Sequence, residues 1–262
     1  MTTYERRQSL VEILRKQPGL RVPELALALD VSEGTVRNDL NALEEQGLLI
    51  RVHGGAVLTQ QEQFQNTSFV RRHQQNAAAK LAIAREAAAL VQDGDSIAID
   101  ASSTAYYFAK ALSDRRRLRV MTNGFEVARE LAQNSSNTVI LIGGVVNNES
   151  SSVTGLLSEH IIEELKIQKA FLSCSGFSLE RGMTEVHLAE AQLKRKMVES
   201  SQHLFALVDS SKFGKDDLTS FARLEMINCL FTDKDLSDEW ARRLEQAKLD
   251  FTICEEEAAP IK

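Results

Sequence analysis

Two groups of residues in this 262-residue chain have types and spacings that can do chemistry. The first spans residues 32–56. Ser32 carries an oxygen that can accept an orphan N–H one turn on, which marks a helix start. From there Val36, Leu40 and Leu43 recur at i, i+4 and i+7, one face of a helix, while Glu33, Thr35, Arg37, Asn38 and Asn41 fall on the other. Such a row can reach phosphates and base edges: Arg37 suits bidentate contact with guanine or a phosphate, and Asn38 suits adenine. Gly47 permits a left-handed end to that helix. Residues 48–52 then read as a strand and Gly54-Gly55 as its turn, a basic ribbon that carries Arg51 and His53 toward nucleic-acid backbone or minor groove. The second group is dispersed over residues 100–104, 122–124, 143–144, 175–176 and 209–212, each at the end of a short apolar run. Taken singly, these are ordinary turn residues. Five such clusters at one edge imply a polar pocket.

The elements that must position these groups can be read from the chain. Residues 4–17 place Leu10, Ile13 and Leu14 on one helical face, and Pro18-Gly19 breaks it. Arg6 and Arg7 at its start face either phosphate or solvent. Leu25, Leu27 and Leu29 lie in an apolar helix that stops at Asp30, with Val31 as a buried plug. Three helices and a basic ribbon make a winged helix-turn-helix, with residues 32–46 as its recognition helix. Residues 58–67 are polar, glutamine-rich and without periodicity, as a linker would be. After Ser68 short apolar strands (96–100, 118–123, 138–144, 169–176, 203–209, 226–233 and 250–254) alternate with helices (77–91, 105–112, 125–132, 156–165, 188–201 and 236–246). That rhythm predicts an α/β, Rossmann-like, doubly wound and mostly parallel sheet. Such sheets bind ligands outside the carboxyl ends of their strands, where the polar clusters fall. The expected organisation is a DNA-binding domain over 1–58, a linker over 59–67 and an α/β domain over 68–262.

Composition bounds the function. The net charge is −6, and the first 58 residues hold seven Lys and Arg against eight Asp and Glu. Recognition of nucleic acid must then come from placed contacts rather than bulk potential. One recognition helix reads only a few base pairs, so a homo-oligomer, dimer or tetramer, is expected. Cys174, Cys229 and Cys254 are far apart without metal-ligand spacing, so they read as small core residues of a chain kept in a reducing compartment. His73, His160, His187 and His203 do not cluster and read as surface or core residues, and no metal or cofactor is implied. A polar amino terminus and the lack of any apolar run of about 18 residues predict a cytoplasmic protein with no membrane partner.

The stretch VSEGTVRNDLNALEEQGLLIRVHGGAV resembles the amino-terminal signature of the DeoR family of bacterial repressors. The matching positions are Val31, Ser32, residues 35–40, Leu43, Glu44, residues 47–49, Arg51 and residues 53–56. Many members have a second arginine where this chain has Asn38. The second half resembles the DeoR carboxy-terminal sensor domain. The resemblance rests on Lys80 with Ile83-Ala84, Asp93-Gly94-Asp95, residues 100–104, Thr122-Asn123, Gly143-Gly144, Gly182-Met183-Thr184, Glu190-Ala191 with Lys194, and residues 209–214. It implies a sensor similar in fold to ribose-5-phosphate isomerase and the CoA transferases. It further implies a phosphorylated sugar or related metabolite as effector, double-stranded operator DNA as partner, and repression of a carbohydrate or polyol catabolic operon.

The residues expected at the DNA are Ser32, Glu33, Thr35, Arg37, Asn38, Arg51 and His53. Those expected at the effector are Asp100, Ser102, Ser103, Thr104, Thr122, Asn123, Gly143, Gly144, Glu185, Lys194, Asp209 and Lys212. A helix beginning just after Asp100 offers unpaired N–H groups and a favourable dipole to a phosphate, with Ser102, Ser103 and Thr104 adding hydroxyls. Lys194 and Lys212 would bring positive charge. Asp100, which repels phosphate, is assigned to sugar hydroxyls. The family usually has glycine where this chain has Ser102. A competing class is an aldose–ketose phosphate isomerase, with Asp100, Glu185, Glu190 and Lys194 moving a proton; Glu190 and Lys194 also form an ordinary helix-stabilising i, i+4 pair. An isomerase has no use for a recognition helix, so the expectation is a regulator and not an enzyme.

Overall fold

The computed structural model describes residues 2–52, 54–58 and 68–256, which divide into two compact units, Met1–Thr67 and Ser68–Lys262. The amino-terminal unit holds α1 (Thr3–Lys16), α2 (Val22–Leu29) and α3 (Glu33–Glu45), then an antiparallel ribbon of β1 (Leu49–Val52) and β2 (Gly55–Leu58). Side chains start two of the helices. Thr2 Oγ1 accepts the Glu5 N–H at 3.2 Å while the Glu5 carboxylate takes the Thr2 N–H at 2.7 Å, and Ser32 Oγ accepts the Thr35 N–H at 3.1 Å. Asp30 closes α2 in the left-handed conformation, with φ 52°. Leu10, Leu14, Leu25, Val36, Leu40 and Leu49 meet in one core. Leu27 departs from the sequence reading: it is 86% exposed. In this two-turn helix Val22, Leu25 and Ala26 share the inward face at i, i+3 and i+4, which turns Leu27 outward. Val31 is half-buried against the same core rather than a sealed plug. Gly55 fixes the ribbon: a Cβ there would lie 2.3 Å from the Leu20 carbonyl oxygen.

The second unit opens with α4 (Ser68–Gln74) and α5 (Ala77–Ala88), and then alternates. In chain order come β3 (Ser96–Ile99), α6 (Ser103–Ala111), β4 (Arg119–Thr122), α7 (Phe125–Leu131), β5 (Thr138–Leu141), β6 (Val145–Asn147) and β7 (Ser152–Thr154). Then follow α8 (Leu156–Glu163), β8 (Ile167–Leu172), β9 (Gly176–Ser178), β10 (Gly182–Glu185), α9 (Leu188–Glu199), β11 (Ser201–Leu207), β12 (Thr219–Ala222), β13 (Ile227–Asp233), α10 (Asp238–Gln246) and β14 (Phe251–Cys254). Seven strands form an all-parallel sheet in the order β14-β13-β11-β8-β3-β4-β5. Apolar clusters cover both faces, one around Phe177, Leu193 and Met197, the other around Ile83, Phe108 and Leu112. Cys174 and Cys254 are buried within them. The chain leaves β3 toward β4 and β5, then returns to pair β8 on β3's other side. The crevice between β3 and β8 is therefore the topological switch point, where open α/β sheets take their ligands.

Apart from β4, which includes Thr122, the described strands stop short of the polar clusters that the sequence assigned to their ends. Pairing ceases where side chains claim the backbone: Asp100 Oδ1 accepts the Ser102 N–H at 3.2 Å, and Thr122 Oγ1 accepts the Gly124 N–H at 3.1 Å. Two pieces have no counterpart in the sequence reading. One is the antiparallel pair β6-β7, and the other is an antiparallel sheet in the order β12-β10-β9. Each strand in them has only three or four residues, too few for alternation to register. Both prove necessary to the cavity described next.

Candidate nucleic-acid interface and ligand cavity

On α3, buried Val36, Leu40 and Leu43 leave Glu33, Arg37, Asn38 and Asn41 exposed and Thr35 half-exposed. The expected row is thus open to solvent. Arg37 Nη2 donates to Glu33 Oε2 at 2.7 Å, one turn back, so the guanidinium is held along the helix surface. Ser32 spends its hydroxyl on the cap and on Thr35 Oγ1, 2.9 Å away. Arg51 Nη1 donates to Asn41 Oδ1 at 2.7 Å, and its Nε to the Gly55 carbonyl at 3.3 Å, which joins ribbon to helix. His53 lies outside the described residues. Sequence reasoning missed Asp39. Its carboxylate, 2% exposed, accepts Arg6 Nε at 2.5 Å and Arg7 Nε at 2.9 Å, so it pins α1 to the buried side of α3. Burial opposes its ionisation, yet the two guanidinium hydrogen bonds outweigh that and hold its pKa below the usual carboxylate range. The available signal was an acid at i+3 from Val36 and i−4 from Leu43, on the apolar face of the helix.

In the second unit a cavity of about 190 Å³ opens at the switch point. That is below the about 300–1,000 Å³ typical of drug-sized ligands, so the space suits a small metabolite. Its wall combines Ala101 and Ser102 after β3, Asn147, Glu149 and Ser150 from the β6-β7 turn, Ser175 after β8, Glu185 from β10, Glu190 and Lys194 on α9, with Arg72 from α4. Val186 and His187 complete it, so His187 is a cavity residue rather than the plain surface or core residue the sequence suggested.

Beneath the cavity sits a buried ion cluster. Lys194, 4% exposed, donates to Glu185 Oε1 at 2.6 Å and the Ser173 carbonyl at 2.9 Å and forms an ion pair with Asp100 Oδ2 at 2.9 Å. Burial favours the neutral amine, but the Asp100, Glu185 and Glu190 carboxylates override it and raise the lysine's pKa. Glu185 is shifted down for the complementary reason: burial opposes its charge, while Lys194, Ser175 Oγ at 2.6 Å and the Arg72 charge favour it. This geometry bears on two expected roles. Lys194 donates to Glu185 and to the Ser173 carbonyl, and its charge is shared by the Asp100 and Glu185 carboxylates, which leaves little positive charge for a phosphate. Asp100 is fully buried; Oδ1 accepts Ser102 N–H and Oγ–H, and Oδ2 accepts the Ser173 N–H and pairs with the Lys194 charge, so its oxygens are engaged in positioning the loop.

Of the expected effector residues, Ser102, Glu185 and Lys194 reach the cavity wall. Ser102 caps α6, its Oγ accepting the Ala105 N–H at 3.0 Å. Ser103 and Thr104 are buried in the first turn of α6. Buried Asn123 donates to Glu190 Oε2 and the Val153 carbonyl, each at 3.3 Å, and Thr122 closes its turn. Gly143 and Gly144 lie exposed beyond edge strand β5. Asp209 is buried and accepts Asn76 Nδ2 at 3.1 Å; Lys212 sits half-exposed in the turn that follows. None of these last six forms part of the wall. Arg72, Asn147, Ser150 and Glu190 do, and the sequence singled out only Glu190 among them. Among the described residues no group of three His, Cys, Asp or Glu is placed to hold a metal ion, and no helix is long and apolar enough to cross a membrane.

A solvent-facing recognition helix with a basic ribbon, in one chain with an α/β unit that encloses a metabolite-sized polar cavity, defines a DNA-binding regulator with a sensor domain. The comparisons with known proteins make this particular. Residues 6–62 match the DeoR-like helix-turn-helix domain and residues 75–234 the DeoR C terminal sensor domain. The HTH-type transcriptional regulator GolR of Listeria innocua is 39% identical over 97% of this chain and 100% of its own length. The L-fucose operon activator of Haemophilus influenzae is 37% identical over 92% of this chain and 96% of its own. Among solved structures, ribose 5-phosphate isomerase A of Methanocaldococcus jannaschii overlays 53% of this chain and 55% of its own, at 21% identity and a TM-score of 0.40. The chain belongs to the DeoR family of transcriptional regulators.

Proposed function

We propose that this regulator, a homo-oligomer in the cytoplasm, binds operator DNA through Thr35, Arg37 and Asn38, and that a small phosphorylated sugar in the switch-point cavity controls it. Repression of a carbohydrate or polyol catabolic operon is the reading we favour. The observation that carries the effector reading is the mixed polarity of the cavity. Its floor is a rigid, charge-paired cluster of Asp100, Lys194 and Glu185, and its rim offers carboxylates and amides for hydroxyls. Positive potential comes from the start of α6 and from Arg72, the places for an anion. The carboxylates that an isomerase would use as base are already engaged. Glu185 is held by Lys194 and Ser175, and Glu190 accepts from Ser150, Ser152 and Asn123, which supports sensing over catalysis.

Two experiments test the proposal. Calorimetry compares sugar phosphates with their unphosphorylated sugars; the phosphorylated forms are expected to bind more tightly, and equal affinity for both refutes the phosphate assignment. Arg37→Ala is expected to weaken operator binding by the about 1–3 kcal/mol of one bidentate base contact and to relax sequence preference at one position. Unchanged affinity and preference refute the docking mode.

A further inference from the structure

The helix α4 is seven residues long and follows directly on residues 59–67, which join the two units. Helices this short do not persist on their own, so its neighbours hold it. The Phe69 N–H donates to the Glu149 carbonyl at 3.0 Å, which fastens its start to the β6-β7 turn on the cavity rim. Tyr107 Oη donates to the His73 carbonyl at 3.2 Å, and the His73 ring stacks on Tyr107 with centroids 4.7 Å apart, which fastens its flank to α6. Lys80 Nζ donates to the carbonyls of Arg72 and Gln75, which closes its carboxyl end. Asn76, left-handed with φ 51°, donates to Asp209 Oδ1 at 3.1 Å and Ser211 Oγ at 3.2 Å, which ties the following turn to the end of β11. Two of these tethers lead to the cavity surroundings, the β6-β7 turn and α6, whose cap Ser102 is in the wall; the other two, from Lys80 and Asn76, fix the carboxyl end of α4 to the body of the unit, and Arg72 on the same helix lines the cavity itself.

Building on the effector reading above, we infer that α4 is the relay of this regulator: an anionic ligand held by Arg72 tightens the docking of α4, and α4 passes that change through residues 59–67 to the DNA-binding unit. A ligand shifts an equilibrium only as far as it binds one state better. Arg72 supplies that difference, because a ligand in the cavity meets the guanidinium only while α4 is docked. Lys80 is then a positioning residue. Burial drives its pKa down to about 8, so it is a cation kept in the fold at a cost for the two carbonyls it holds.

Amide exchange on the full-length chain tests the inference, with glycerol 3-phosphate, ribose 5-phosphate, fructose 1-phosphate and fructose 6-phosphate as probes. Whichever probe slows exchange over residues 147–150 and 185–190 is expected to slow residues 69–76 several-fold as well. In Arg72→Ala the slowing over 69–76 is lost and in Arg72→Lys it partly returns; Arg72 is only partly buried, so both variants fold. In Lys80→Met the rim remains protected by the probe while 69–76 no longer responds. Rim protection with α4 unchanged in the native chain overturns the relay and leaves the effector reading standing. No protection in either place by any probe overturns the effector reading and the relay with it.

Discussion

Replacing Lys194 by methionine keeps the length of the side chain and removes its charge and donors. In the native chain its Nζ serves Asp100, Glu185 and the Ser173 carbonyl, and Asp100 and Glu185 are 0% and 8% exposed. The substitution strands two carboxylates in the interior. Removing one partner of a buried ion pair costs about 3–5 kcal/mol. A unit of this size loses about 2–4 °C of Tm per kcal/mol, so the sensor unit is expected to melt roughly 6–20 °C lower near neutral pH. The pH dependence should also change sign. Native Glu185 has a depressed pKa: burial opposes its charge, but Lys194 and its hydrogen bond outweigh that. Such a carboxylate contributes stability that is present above its unfolded pKa and lost as pH falls through the lower folded value. Without Lys194, burial, the largest influence, is opposed only by the weaker Ser175 hydrogen bond and Arg72 charge, so the pKa should rise above the unfolded value and the folded state bind the proton first. The deficit of the variant should therefore shrink on going from about pH 8 to about pH 6, while the native chain barely changes. Scanning calorimetry on both proteins at the two pH values measures this, and Lys194→Met/Glu185→Gln should recover part of the loss. A Tm drop below about 2 °C, or a deficit that grows on acidification, refutes the reasoning.

Other outcomes follow from the amino-terminal unit and from assembly. Gly55→Ala should destabilise that unit by about 1–3 kcal/mol, because its Cβ would meet the Leu20 carbonyl at 2.3 Å; operator affinity falls while the sensor's melting is unchanged. Asp39 has a depressed pKa, so its contribution exists above its unfolded pKa and disappears as pH falls through the folded one. Asp39→Asn should therefore speed amide exchange in α1 and α3 at neutral pH, and the difference should vanish on acidification. Sedimentation should show at least a dimer, and a monomer that stays monomeric on operator DNA counts against the proposed assembly.

The sequence by itself determined the elements whose period is long enough to read. The i, i+4, i+7 repeat of Val36, Leu40 and Leu43 set the faces of α3 and hence which side of it solvent sees. The alternation of short apolar runs with helices set the parallel sheet, since runs apolar on both sides of a strand can be buried only between two helix layers. It also put Ser102 and Ser175 near a common edge. Tertiary structure decided which of the polar residues at that edge share a space. Strand order places β8 beside β3, so the ends of those two strands frame the cavity, whereas Gly143 and Gly144 end at the outer edge on β5. It also decided the charge of the site. Lys194 and Asp100 are 94 residues apart in sequence, and neither spacing nor periodicity shows that one neutralises the other until packing brings them within 2.9 Å. Arg72 is the same case from the other side: on the sequence it belongs to a short polar segment after a linker, and only the tethers from Tyr107, Lys80 and Glu149 bring it to the cavity. Local pattern fixes which face of an element is buried; which faces then meet depends on non-local packing, and the site is made where they meet.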